Sequence, residues 1–269
     1  MAASMSEAKT RSERALGLYV GLMIFFLALP IAIVIPSAFS NDVTLAFPPR
    51  GFSMKWFKAA LEFAAFRDAF WLSISVAVLS TVISLVAGTL AAIALVRYKP
   101  PGHDALLLLF LTPLVFPAIV LAAGLAMVLG SMGLLRTFSG LVMAHVLITL
   151  PYVVRTILGT LSEIDPALEE AAATLGANRW KTFRHVTEPL LRPGLLAGAT
   201  FSLIISFDEF TVSLFLVGPG LRTLPLEIYN YTDANIDPTI AAISTLLIAL
   251  TLLVVVMIEK TFGFGKLFS

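Results

Sequence analysis

Five stretches of this chain carry no charged side chain: residues 15–41, 69–96, 105–135, 137–154 and 238–258. A sixth, 193–221, is interrupted only by Asp208 and Glu209. A helix needs about 20 apolar residues to cross roughly 30 Å of bilayer hydrocarbon. The pattern therefore predicts an all-α membrane protein with six transmembrane helices, at 16–38, 70–96, 105–130, 137–158, 193–217 and 239–259. The composition agrees. The chain is 58% hydrophobic and 13% charged, where soluble domains carry about 25% charged residues. A water-soluble fold of 269 residues could not bury that much apolar surface. The chain reads as one membrane domain, 1–269, with a tail at 1–15 and a charged loop at 159–192.

Several function classes are excluded at once. The net charge is +1, which implies no nucleic-acid partner. There are no cysteines, hence no disulfides or thiolate metal sites. Three scattered histidines supply neither a catalytic set nor a metal site. The nearest approach to a phosphate-binding loop, Gly265-Lys266, is followed by Leu267 and lacks the required upstream glycine. If ATP drives this protein, another chain binds it. The first apolar run has a basic flank like a signal peptide. It is too long for one and no clear A-x-A site follows, so it reads as an uncleaved helix.

Lys and Arg set the orientation of membrane helices. With the N-terminus inside, twelve of the 18 basic residues fall on the cytoplasmic side, including Lys9, Arg11, Arg14 and Lys266. The first outer loop argues mildly the other way, with Arg50, Lys55, Lys58 and Arg67. That loop also holds a turn at Pro48-Pro49-Arg50-Gly51. A short amphipathic helix on the membrane surface is expected after it, through Phe66.

The 159–192 loop has a local logic. Asp165 can cap a helix whose first position is Pro166. Glu169 and Glu170 suit the early turns, where the helix dipole favours negative charge. Leu168, Ala171, Ala172 and Leu175 form one apolar face, and Gly176 ends the helix with a left-handed backbone. Asn178 caps a second short helix with Trp180 and Phe183 on a shared face. From physics alone this is either a docking surface or a solvated loop packing on its own bundle.

Asp208 and Glu209 lie deep in the fifth span. A carboxylate at the centre of a membrane helix costs roughly 2.5–3.5 kcal/mol and usually faces a cavity. At 1.5 Å per residue Asp208 is roughly 20 Å into its helix, past the midplane. The pair either lines a pathway or is structural, bonded to Ser206, Thr211 or a neighbouring helix. On one continuous helix the two would point about 100° apart, so one of them would face a path. His145, in the fourth span, reads as a satisfied packing residue. Gly17-x-x-x-Gly21 and Gly194-x-x-x-Gly198 are candidate close-packing sites.

The stretch Glu170-Ala171-Ala172, three residues, Gly176, nine residues, Val186-Thr187-Glu188-Pro189 resembles the EAA loop of ABC-importer permeases. Glu188 departs from it, standing where that family usually has an aliphatic residue. Gly51-Phe52-Ser53-Met54-Lys55-Trp56, Leu95-Val96-Arg97-Tyr98 and 201–247 resemble the inner-membrane permease of spermidine/putrescine-type ABC importers. The likeness covers nearly all of the chain after the first fifteen residues. It implies a permease subunit in a bacterial inner membrane, both termini cytoplasmic, forming half of a path for polyamines or similar small amines. It implies a coupling helix between the fourth and fifth spans, with Glu170, Ala171, Ala172 and Gly176 meeting the ATPase; Arg179 and Trp180 beside them join the candidate coupling surface, and Asp208 and Glu209 remain the candidate path residues. It implies two ATPase subunits, which hold the ATP and magnesium, a second permease chain and a periplasmic substrate-binding protein. This chain itself is then no enzyme and binds no cofactor. The rival reading is an ion-coupled secondary transporter using Asp208 and Glu209, which leaves the charged loop unexplained.

Overall fold

A computed structural model of the chain describes the backbone of residues 2–262 and the side chains of 16–257 and 260. Lys9, Arg11, Arg14 and Lys266, and the Gly265-Lys266 pair, lie outside the described side chains. Among the described residues the chain is almost wholly helical. Five helices are long and apolar enough to cross a membrane, or six if one bent pair is a single span. The contacts divide the chain into two compact units, 1–63 with 231–257, and 64–230 with the C-terminal residues.

In the first unit, α1 (Ala2–Ser37) exposes apolar side chains all round, such as Phe25, Phe26 and Leu27. Such a helix suits lipid, where its backbone groups are satisfied internally. The loop after it is folded. Phe39 stacks on Phe52 at 5.2 Å and meets Phe57 at 4.9 Å, and Trp56 donates from Nε1 to Ser40 O at 2.9 Å. The amphipathic helix expected here is α2, Lys55–Glu62, shorter than anticipated because Phe63 is extended. This unit also contains most of α12 (Thr239–Phe262). Asp237 Oδ1 accepts from Thr239 N at 2.8 Å, the capping that Asp-Pro predicts.

In the second unit, α3 (Ala64–Ile93), α6 (Phe138–Glu163) and α9 (Glu188–Asp208) pack together. Small residues let them approach. A Cβ on Gly198 would come 2.8 Å from Thr156 Oγ1, and one on Gly88 2.8 Å from Val153 Cγ1. Gly194 sits still more tightly on Thr160. The Gly194–Gly198 pair is thus a true packing seam, whereas a Cβ on Gly17 or Gly21 would meet nothing within 4 Å. Leu191, Val153, Ile157 and Leu161 fill one end of the trio. Val76, Leu141, Val212 and Leu216 fill the other, with α5 (Ala118–Ser131) and α10 (Thr211–Leu216).

Two expectations are corrected. The third span is not one helix. It is α4 (His103–Leu111) with a tight turn at Thr112–Leu114, and then α5, bent by 103°. Pro113 and Pro117 lie at the bend, where each removes a backbone N–H from the helical ladder. The fifth span is not continuous to 217 either, because Glu209 is extended and α10 starts anew. The 159–192 segment carries the two short helices expected of it, α7 (Pro166–Thr174) and α8 (Arg179–Thr182). A wide π turn at Phe183–Thr187 joins α8 to α9, so Arg179–Asp208 is a single 30-residue rod. That turn absorbs Pro189, whose ring would collide with an ordinary helical carbonyl four residues back. The remaining helix, α11 (Leu224–Ala234), precedes α12.

Candidate functional site

The charged segment is built as the sequence implies. Asp165 Oδ1 accepts from Ala167 N at 2.9 Å, and Asn178 Oδ1 accepts from Lys181 N at 2.9 Å. Gly176 has φ +86°, Ala177 N donates to Ala172 O at 3.0 Å, and Gly176 N donates to Ala173 O at 2.9 Å. This pair of bonds is the Schellman closure, and it needs a residue at ease in the left-handed region.

The two faces of α7 differ. Pro166, Glu169, Glu170, Ala173 and Ala177 line a cleft of about 480 Å³ shared with Arg97, Tyr98 and Arg179. The apolar face points away from it. Leu168 and Ala171 are exposed, Ala172 is half-buried, and Leu175 is 89% exposed. Trp180 is 69% exposed and stacks on Phe183 at 5.8 Å. A loop that merely packed on its own bundle would bury these side chains. Glu170, Ala171, Gly176, Arg179 and Trp180 are exposed and Ala172 is half-buried; Glu170 and Arg179 border the cleft, whereas Ala171 and Ala172 lie on the face turned away from it.

The sequence reading missed what anchors that surface. Arg97, in the π turn ending α3, reaches Glu169 Oε1 at 3.2 Å, and Thr187 Oγ1 donates to the same oxygen at 2.9 Å. One carboxylate so ties α7 to α3 and to the joint between α8 and α9. The signal is present in Leu95-Val96-Arg97-Tyr98, but nothing local to that motif points to Glu169. Glu188, the odd residue in the loop, is held from both sides, accepting from Arg184 at 2.9 Å and from Arg192 at 3.2 Å.

At the other end of the rod, Asp208 and Glu209 part company. Glu209 Oε1 accepts from Val212 N at 2.9 Å and its carbonyl accepts from Ser213 Oγ at 3.0 Å. It caps α10. Asp208 is exposed, and no hydrogen bond or ion pair engages it among the described residues. Beneath the break lies a buried polar seam. His145 is 1% exposed, with Nδ1 2.8 Å from Ser206 Oγ and Nε2 3.3 Å from Ser213 Oγ. Ser206 Oγ is 3.0 Å from Ser80 Oγ, and Ser84 Oγ is 2.8 Å from Thr149 Oγ1. His145 is satisfied, as anticipated, and it links helices α6, α9 and α10.

Residues 84–262 match the family described as "Binding-protein-dependent transport system inner membrane component". The chain belongs to that family. The permease is 31% identical over 231 residues to the spermidine/putrescine transport system permease protein PotC of Escherichia coli (strain K12), covering 86% of this chain and 87% of the relative. With PotC of Haemophilus influenzae the identity is 32% over 232 residues, 86% of this chain and 90% of that one. It is 30% with PhnV of Salmonella typhimurium, provisionally assigned to 2-aminoethylphosphonate transport, over 89% and 90% of the two chains. Among solved structures, a bacterial ABC transporter involved in import of the acidic polysaccharide alginate superposes with TM-score 0.72 at 17% identity, covering 94% of the permease and 98% of that chain. The MetNI methionine ABC transporter gives 0.58 at 19%, covering 77% and 95%. These two likenesses are of fold. The resemblance read from the sequence to ABC-importer permeases of the spermidine/putrescine type holds. The protein is a membrane-spanning transport permease.

Proposed function

We propose that this permease forms half of the path by which an ATP-driven importer of a bacterial inner membrane takes up polyamines or similar small amine cations. The observation that carries the reading is the Arg179–Asp208 rod. One end bears the open surface of α7 and α8, and the other ends in a carboxylate that nothing within the described chain engages. The bent α4–α5 pair counts as one span, giving six, with both termini and α7–α8 on the cytoplasmic side. Two ATPase subunits, which hold ATP and magnesium, dock on Glu170, Ala171, Ala172, Gly176, Arg179 and Trp180. A second permease chain completes the path, and a periplasmic binding protein delivers the solute. Asp208 stands along that path, and Glu209 shapes the break beside it.

Polyamine cargo is supported by the PotC relatives and by the free carboxylate, since opposite charges attract strongly where water is scarce. The test is uptake of labelled putrescine and spermidine by cells carrying the permease with its neighbouring transport genes, against cells lacking it. Uptake that needs this chain is expected. Transport of a zwitterionic amine with none of either polyamine would move the cargo to the aminophosphonate class.

A further inference from the structure

The hydrogen bonds beneath the α9–α10 break have one consistent direction. The single proton of Ser213 Oγ goes to the Glu209 carbonyl, 3.0 Å away. Ser213 Oγ must therefore accept from His145, which fixes the proton of a neutral imidazole on Nε2. Nδ1 is then an acceptor, and Ser206 Oγ donates to it. Ser206 Oγ also lies 3.0 Å from Ser80 Oγ, whose own proton goes to the Ala77 carbonyl at 3.2 Å. The chain of donated protons runs Ser206, His145, Ser213, Glu209 C=O. It starts on α9 before the break, crosses α6, and ends at the break itself, on a carbonyl with no helical partner.

We infer that His145 is a positioning residue that clamps α9 to α10 and so holds the break in the shape that leaves the Asp208 carboxylate free. This rests on the pathway reading of Asp208. Two nitrogens on one rigid ring suit the task, because each serves a hydroxyl on a different side of residues 208–210. No proline or glycine lies in 207–213 to open the helix by itself. The break is held by side chains at the break and by one from α6. Glu209 caps one side, and His145 orients the serine that satisfies the loose carbonyl.

The experiment compares H145L, H145N, H145Q and S213A in the assembled transporter, measuring labelled-putrescine uptake and half-saturation per complex. Gln places an amide N–H near the Nε2 position and retains the donor toward Ser213. Asn reaches only the Ser206 side. The expected result is maximal uptake lowered on the order of tenfold in H145L, H145N and S213A, with unchanged half-saturation and recovery in H145Q. Equal rescue by Asn and Gln, or wild-type uptake by H145L, overturns the clamp. If H145L fails to assemble, S213A decides, since it removes one oxygen and no volume of note. D208N measured alongside separates the two readings. Full uptake by D208N overturns the pathway role of Asp208, while loss of uptake in S213A still supports the clamp.

Discussion

Arg97 and Glu169 meet at 3.2 Å across a separation of 72 residues, joining the end of α3 to the first turns of α7. Both side chains are mostly shielded, and Glu169 also accepts from Thr187. Removing one member of such a charged hydrogen-bonded pair costs about 1.5–3 kcal/mol and strands the other. R97Q and E169Q are therefore expected to weaken retention of the ATPase and to lower uptake. E169R combined with R97E should recover part of both. A double-mutant cycle on uptake per complex measures the coupling, and strict additivity would show that the contact transmits nothing.

The side of the membrane on which α7 and α8 lie is directly accessible to chemistry, because the chain has no cysteine. Leu175 is the better probe position than Asn178, since Asn178 caps α8 and Leu175 makes no cap with its side chain. L175C should resist an impermeant thiol reagent added to intact cells and react in inside-out vesicles. Labelling from outside would invert the topology and remove the ATPase surface from the cytoplasm.

Much of the fold was legible because burial and lipid exposure both demand long apolar runs, and these are visible without any knowledge of contacts. The caps at Asp165 and Asn178 were legible because they act within three residues. The bend in the third span was written in Pro113 and Pro117, yet the unbroken apolar run masked it. The break at Asp208 has no proline or glycine to mark it. Glu209 folds back on Val212 nearby, but the His145 bonds that flank the break come from α6, more than sixty residues away in the sequence. Arg97–Glu169 was hidden for the same reason, since pairing over 72 residues leaves no periodicity to read.

Gly176 separates backbone strain from surface fit. Its φ is +86°, and a Cβ there would meet nothing within 4 Å in this chain. G176A should lose about 1–2 kcal/mol of local stability from left-handed strain, with the ATPase still bound. G176D, whose side chain tolerates that backbone better but projects a charge into open space, is expected to lose ATPase association and uptake. Co-purification of the ATPase with each variant measures the difference. Normal uptake by G176D would mean that no partner approaches this turn.

The glycine seam makes a contrasting stability prediction. A side chain at Gly198 must displace Thr156, whose hydroxyl is 2.8 Å from the Cβ position. Overpacking of this kind costs about 1–3 kcal/mol, so G198V should lower the Tm of the detergent-solubilised permease. G17V and G21V should leave that Tm unchanged, because no described residue comes within 4 Å of a Cβ at either position. A loss of Tm in G17V equal to that in G198V would contradict the packing described.

Asp208 and Glu209 are adjacent, yet they should respond differently to neutralisation. Glu209 acts through one oxygen that accepts the Val212 N–H at 2.9 Å. Gln keeps an oxygen there, so E209Q should retain the cap and most of the uptake. E209A removes the acceptor and should cost about 0.5–2 kcal/mol, the usual loss of a helix cap, seen as reduced assembly. Asp208 makes no such bond, and its value to a cation path is its charge. D208N keeps shape and removes that charge, so the complex should assemble and hydrolyse ATP while polyamine uptake falls. The measurement is uptake set against ATPase activity in the same preparations. If D208N loses assembly instead, the carboxylate is structural. If D208N transports at the wild-type rate, the cation is recognised elsewhere, on the second permease chain or on the binding protein alone.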